Sequence, residues 1–258
     1  MRSLLLASSV FFAAVLSASA CLAAELTAIE SRWLQGAWPV VEFARQTGLS
    51  LDIVVQPQPT PGAAPLAMAF IGGRCKLVLS MRGNSEAQAT LERIEPELLD
   101  ATLELMAAHE LGHCRRYLDG AWHGLPSGFV ANSTAQRGSG LLDEHRLISA
   151  ARREEGYGDL VGLAWAQQHH PQLYARLWAW LVAERSNDRV AGADHDTLAW
   201  VRLAAPDAAV HRVSIFDWAA TLWRAGLGDA ARDVSVPGQE NVDLAIEGDL
   251  RRRTLGLR

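Results

Sequence analysis

The sequence predicts an α+β fold in which a small N-terminal sheet precedes a mainly helical region. Short stretches rich in β-branched and aliphatic residues lie between residues 49 and 81, and this composition favours strands. Beyond residue 96, apolar residues recur at intervals of three and four, which is typical of amphipathic helices. Because the strands come first and the helices follow, we expect an α+β arrangement.

The N-terminal part is predicted to contain one helix and three strands. The helix covers residues 25–47 and ends at Gly48. The second and third strands are joined by a tight hairpin turn at Gly72 and Gly73. The predicted strands are LSLDIVVQP (49–57), LAMAFIGG (66–73) and CKLVLSM (75–81).

The rest of the chain is predicted to be mainly helical. A helix that begins at Ser85 is interrupted at Pro96, which suits the first turn of a new helix ending near Gly120. Residues 120–140 are rich in Gly and Ser and indicate a surface loop. The remaining predicted features are a long helix over 141–171 with weak points at Gly156 and Gly158, a tryptophan-rich helix over 172–185, a mixed region, and a loose C-terminal tail.

Charge and the N-terminal segment restrict the partners and the location. The net charge is −5 and the longest basic run is three arginines, so we expect no nucleic-acid partner. Residues 4–16 are apolar and too short to span a bilayer, and small residues before Cys21 and before Glu25 offer cleavage sites. We therefore expect residues 1–24 to be a signal peptide and 25–258 to form one exported, periplasmic domain without a transmembrane span. Cleavage before Cys21 would instead give a lipoprotein anchored at that cysteine.

Two further cysteines, Cys75 and Cys114, lie in a predicted strand and a predicted helix. In an oxidising compartment they can pair, and the bridge would tie that strand to the helix. Two buried free thiols are the alternative.

The stretch H-E-L-G-H, residues 109–113, has two histidines four residues apart and a glutamate beside the first. Four residues are about 400° of helix rotation, so His109 and His113 project from one face and can share a metal ion. Zinc suits neutral imidazole nitrogen. Glu110 is offset by about 100°, so it flanks the metal and can take the proton of a zinc-bound water.

A catalytic zinc site needs three protein ligands and an open position, and the sequence offers three acidic candidates for the third ligand. Asp119 lies at the spacing of the third ligand in metzincins, but Arg116 stands where that pattern has a chain-turning Gly. Glu155 and Asp159, in REEGYGDLVG, are four residues apart on a predicted helix. Glu154 is a rival to Glu155, from which it lies about 100° round the helix.

H-E-L-G-H and the E-x-x-G-D of residues 155–159 together resemble the gluzincins, the thermolysin-like zinc peptidases, in which the second motif is E-x-x-x-D or E-x-x-A-D. The resemblance rests on five residues in two short motifs, with Gly158 in place of Ala. It implies a zincin-like fold and these roles: His109, His113 and Glu155 as ligands of one zinc ion, Glu110 as general base, and Asp159 as hydrogen-bond partner of a zinc histidine.

Gluzincins also carry a cation or proton donor that stabilises the oxyanion. His195, in GADHDTLAW, is the candidate here because it is predicted to lie in a loop between Asp194 and Asp196, which could orient it. His211 and Arg202 are the alternatives.

The sequence therefore predicts an exported zinc metallopeptidase that hydrolyses peptide or protein substrates. We expect the strand CKLVLSM to lie at the edge of the cleft, where an extended peptide can pair with it. Two other hypotheses are a zinc-binding cell-envelope protein with a zincin fold but no proteolytic activity, and an envelope protein that binds no metal and carries the motif by chance.

Overall fold

A computed structural model describes residues 25–120, 141–187, 193, 195–206 and 213–233, with the side chains of all these residues except 141–147 and 228–233. Most of the predicted loop over 120–140 and the predicted C-terminal tail lie outside these residues. One helix and a three-stranded sheet come first and helices make up the rest, which confirms the α+β class. The elements are α1 (Ala28–Gln46), β1 (Leu51–Pro57), β2 (Leu66–Ile71), β3 (Arg74–Arg82), α2 (Ser85–Arg93), α3 (Leu99–Leu118), α4 (Leu141–His169), α5 (Tyr174–Asn187), α6 (Leu198–Leu203) and α7 (Ile215–Asp233), with a 3-10 turn at Pro96–Leu98 before α3.

Helix α1 begins with a capping box. The Thr27 hydroxyl accepts a hydrogen bond from the Glu30 backbone N–H, and the Glu30 carboxylate accepts one from the Thr27 N–H. The same buried carboxylate accepts a hydrogen bond from Arg82 at the end of β3, 3.0 Å away. Gly36 lets α1 approach α3, since a Cβ there would lie 2.4 Å from the Cδ1 of Leu103. Helix α1 is thus held against both the sheet and α3.

The sheet has the order β1-β3-β2, with β1 parallel and β2 antiparallel to β3. The predicted hairpin turn is confirmed, because Gly72 and Gly73 both have positive φ, of 61° and 74°, as a two-residue type I′ turn requires. The prediction that CKLVLSM forms an edge is wrong. This strand is β3, which pairs on both sides, and its alternate residues Cys75, Leu77 and Leu79 are buried. Among the described strands, β1 and β2 form the edges.

Cys75 on β3 and Cys114 on α3 form a disulfide, and both residues are fully buried. This is one of the two outcomes that the sequence left open. The bridge joins the central strand to α3 at the residue that follows His113. A second contact supports the same junction, because Phe70, which pairs with Cys75 across the sheet, stacks on Tyr117 of α3 with ring centroids 5.2 Å apart.

Helices α3 and α4 pack closely because glycines lie between them. A Cβ on Gly162 would lie 2.8 Å from the backbone oxygen of Leu105, and a Cβ on Gly112 would lie 3.3 Å from the Cα of Gly158. Helix α4 runs without interruption from Leu141 to His169, so the expectation that its glycines are weak points is wrong. Gly158 lets His109 of α3 come near, whereas Gly156 lies against Trp200 of α6.

The C-terminal helices cover the other side of α4. Trp200 of α6 is 1% exposed and donates a hydrogen bond to the Trp223 backbone oxygen on α7, 3.1 Å away. Its ring lies over Gly156 of α4, where a Cβ would be 2.6 Å from the indole. Among the described residues, no helix combines the length and the apolar character that crossing a bilayer requires.

Candidate metal centre

Helix α3 presents both histidines of H-E-L-G-H towards α4. The rings of His109 and His113 are nearly perpendicular, at 87°, with centroids 4.6 Å apart. Their Nε2 atoms lie 2.9 Å from each other. His113 is fully buried and His109 is 9% exposed. The one-turn spacing therefore directs both imidazole nitrogens to one point, as the sequence predicts.

Glu155 of α4 supplies the third donor group. Its carboxylate oxygens lie 3.3 Å from the His109 Nε2 and 3.6 Å from the His113 Nε2. One donor atom from each of the three residues falls within 4.8 Å of the others, and all three residues are buried. This group could hold a metal ion.

The rival ligands have other partners. Glu154 points away from the group and forms a two-pronged ion pair with Arg116 of α3, with N···O distances of 2.6 and 2.8 Å. Asp119 lies just after α3 and pairs with Arg115 at 3.0 Å. Of the three acidic candidates, only Glu155 lies beside the two histidines.

Asp159, one turn beyond Glu155, orients His109. Its Oδ1 lies 3.0 Å from the His109 Nδ1. A carboxylate in this position accepts a hydrogen bond from the Nδ1–H group, so the Nε2 lone pair faces the donor group. Asp159 is fully buried, and its partners keep the pKa of its carboxyl well below the ordinary range despite burial; Arg185 contributes most and His109 next.

Two partners of Asp159 were missed by sequence reasoning. Arg185, at the C-terminal end of α5, donates to both carboxylate oxygens at 2.6 and 2.9 Å. Thr197 donates from its hydroxyl to Oδ2 at 2.5 Å. Arg185 is one of many arginines, and Thr197 precedes a short helix, so neither carries a pattern that distinguishes it from a surface residue. Only the packing of α5 and α6 on α4 brings them to Asp159.

Glu110 lies beside the donor group and belongs to α3. It is 9% exposed, and its Oε2 atom is buried without a hydrogen-bond partner among the described residues. Burial raises the pKa of its carboxyl to about 8, although the charge of His109 opposes the shift. The Met68 backbone N–H on β2 also interacts with this carboxyl and lowers its pKa. Glu110 therefore lies between the donor group and the edge strand β2.

The two histidines differ in their affinity for a proton. Burial by itself lowers the pKa of His109, but hydrogen bonds with Asp159 and Glu155 outweigh it and raise the pKa to about 10. Burial lowers the pKa of His113 to about 3, and the neighbouring His109 acts in the same direction. Since metal ions bind the neutral imidazole, binding at this group would displace a proton from His109.

His195 lies at the exposed side of the donor group. Its Nε2 is 3.6 Å from the Glu155 Oε2, and 57% of its side chain is exposed. The predicted neighbour Asp194 lies outside the described residues, as does the alternative His211. The other alternative, Arg202, is exposed on α6. Of the two candidates that the structure describes, His195 and Arg202, His195 lies beside the donor group.

Gly158 makes room for His109. A Cβ at this position would lie 2.8 to 2.9 Å from three atoms of the imidazole ring, Cε1, Nδ1 and Nε2. The ring therefore rests directly on the backbone of α4, between Glu155 and Asp159. Gly158 is also the residue at which this chain has Gly where the E-x-x-A-D motif has Ala. The position that differs from the motif is therefore one that contacts a histidine of the donor group.

The donor chemistry fits a transition-metal ion. Two imidazole nitrogens and one carboxylate are the ligands that zinc binds in open, three-ligand sites. The unpaired Glu110 Oε2 is a buried acceptor beside this group, where a water molecule could satisfy it. The residues present therefore fit such an ion.

Comparisons with known proteins give no further guide to this site. A scan against protein-family models found no match, and searches of curated proteins and of solved structures found no significant similarity.

Proposed function

We propose that the chain is a zinc metallopeptidase of the gluzincin type, with a zincin-like fold. The observation that carries the proposal is the convergence of His109, His113 and Glu155 beside the buried carboxyl of Glu110. A structural metal site would need only the three donors and a fourth ligand. A buried carboxyl next to them, with one oxygen that has no hydrogen-bond partner among the described residues, favours hydrolysis.

Each residue has a distinct part in this reaction. Zinc, when bound, supplies a Lewis acid and lowers the pKa of a water molecule towards about 7. Glu110 takes a proton from the attacking water at Oε2 and passes it to the leaving amine. Asp159 keeps the His109 Nδ1 proton in place, so that Nε2 stays available as a ligand. His195 donates a proton or a hydrogen bond to the oxyanion from the exposed side.

The substrate is proposed to be an extended peptide that lies along β2. This strand replaces β3 as the expected partner, because β3 pairs with both of its neighbours. The outer edge of β2 is near Glu110, as the interaction of Met68 with that carboxyl indicates. Backbone pairing at this edge would place a peptide carbonyl beside the donor group.

The proposed location is outside the cytoplasm. Residues 1–24 have the composition of a secretory signal, and the buried Cys75–Cys114 disulfide agrees with an oxidising compartment. A lipid anchor at Cys21 is the proposed alternative to simple release into the periplasm.

The test combines zinc analysis with two matched substitutions. Purified protein should contain about one zinc ion, which Glu155→Ala should lose and Glu154→Ala should keep, because Glu154 is paired with Arg116. Wild type should cleave members of a peptide library, and Glu110→Gln should cleave them at least about 100-fold more slowly.

Other results would contradict the proposal in different ways. Full zinc content in Glu155→Ala would exclude the gluzincin ligand set. Zinc binding without cleavage would instead favour a zinc-binding envelope protein. Purified protein that binds no zinc would indicate that the motif occurs by chance.

A further inference from the structure

The segment that carries His195 contacts α4 through the two residues that follow it, Asp196 and Thr197. Arg152 Nη1 lies 4.0 Å from the Asp196 Oδ2, and Thr197 Oγ1 donates to the Asp159 Oδ2 at 2.5 Å. Arg152 and Asp159 lie on α4 on either side of the Glu155 position. The segment is therefore tied to the same helix that carries the third donor residue.

The Thr197 hydroxyl does not make the helix-capping hydrogen bond that its position favours. Thr197 is the N-cap residue of α6, where a threonine side chain usually accepts a hydrogen bond from a backbone N–H of the first turn. No such cap bond is made here. Instead, the Trp200 and Val201 backbone N–H groups are satisfied by the Thr197 carbonyl oxygen, at 2.9 and 3.2 Å. The hydroxyl thus serves the contact with Asp159.

Asp159 is a rigid acceptor for this hydroxyl. Its Oδ1 meets Arg185 and His109, and its Oδ2 meets Arg185 and Thr197. Both Thr197 and Asp159 are fully buried, so water does not compete for the bond. One carboxylate therefore fixes both the His109 ring and the backbone next to His195.

We propose that Thr197 is a positioning residue for His195. Its bond to Asp159 holds the backbone of residues 195–197 against α4, and this keeps the His195 Nε2 within 3.6 Å of Glu155. The His195 side chain is 57% exposed, so the position of the backbone that carries it has a large part in placing the ring. The role in catalysis rests on the proposed function, whereas the anchoring of the segment does not.

The anchoring is tested by amide hydrogen exchange in wild type, Thr197→Val and Thr197→Ser. Valine keeps the shape of threonine and removes the hydroxyl, and serine restores it. Peptides that cover residues 195–200 should exchange about 10-fold faster in Thr197→Val, because a hydrogen bond to a charged group is lost. Thr197→Ser should resemble wild type, and peptides from α1 should not change. Equal exchange of residues 195–200 in folded Thr197→Val and wild type would overturn the proposal.

The effect on catalysis is tested by a double-mutant cycle with His195→Ala. At equal zinc content, Thr197→Val should lower kcat about 10-fold with KM within about twofold, and the same substitution should have no further effect in the His195→Ala background. Additive losses would overturn the proposal. So would a fall in zinc affinity as large as that in Asp159→Ala, since the hydroxyl would then act through His109. A wild type without peptidase activity would refute the proposed function, and the exchange experiment would still decide the role of Thr197.

Discussion

Replacing Gly158 by alanine should weaken metal binding more than it changes the stability of the metal-free protein. The new Cβ would lie 2.8 Å from the His109 Cε1, about 0.6 Å short of the 3.4 Å at which ordinary contact begins. Bonds between metals and ligands tolerate displacements of only about 0.2 Å. The imidazole or α4 must therefore move about three times as far as the site tolerates. We expect the zinc affinity to fall about 10- to 100-fold, the range seen when the support of a ligand is disturbed.

Gly156→Ala is the matched control for this experiment. It lies two residues away on the same helix, and its Cβ would lie 2.6 Å from the Trp200 ring instead of a donor residue. Both substitutions should stabilise the helix by about 1 kcal/mol through intrinsic helix propensity. Any loss of stability therefore comes from the steric clash of the new Cβ atom. Zinc affinity, measured by competition with a chelator, should stay within about threefold of wild type in Gly156→Ala.

The comparison of the two variants can refute the reasoning. If Gly158→Ala binds zinc as tightly as wild type while remaining folded, the contact of His109 with the α4 backbone does not set the ligand geometry. Equal losses of zinc affinity in both variants would indicate that the effect comes from a general change in the packing of α4 and not from the contact with His109.

Two further predictions concern the support of the site. Arg185→Met should destabilise the protein by about 3–5 kcal/mol, because it removes the guanidinium that pairs with both oxygens of the fully buried Asp159 carboxylate. Urea unfolding would measure this, and a loss below about 1 kcal/mol would contradict the buried pairing. Replacing both Cys75 and Cys114 by alanine should cost about 4 kcal/mol, the loop-closure value for a separation of 39 residues. Reduced wild type should unfold at the same urea concentration as this double variant, and a clear difference between them would show that the bridge is not the cause.

The sequence predicted most of the helices and strands because their signals are local. Glycines with positive φ end α1 and form the β2–β3 turn, and Pro96 begins the turn that leads into α3. The place of β3 in the sheet could not be predicted in the same way. Strand order depends on pairing between distant segments, and the composition of CKLVLSM suits a central strand as well as an edge.

The third donor residue shows the same limit at the site. Glu154 and Glu155 project from α4 in directions about 100° apart. The sequence alone does not predict which side of α4 faces α3. Arg116 resolves the choice, because it pairs with Glu154 and leaves Glu155 towards the histidines. That pairing joins residues 38 apart in the chain, beyond the reach of any local pattern.

By itself, the sequence determined the α+β class, the helix with H-E-L-G-H, and the two acidic residues one turn apart that could serve it. Helical periodicity is a property of neighbouring residues, so these features can be recognised without a fold. Only the tertiary structure decided that Glu155 joins His109 and His113, that Cys75 pairs with Cys114, and that Arg185 and Thr197 hold Asp159. These contacts link separate elements, and they exist only where close packing of the elements brings buried polar groups within hydrogen-bond distance.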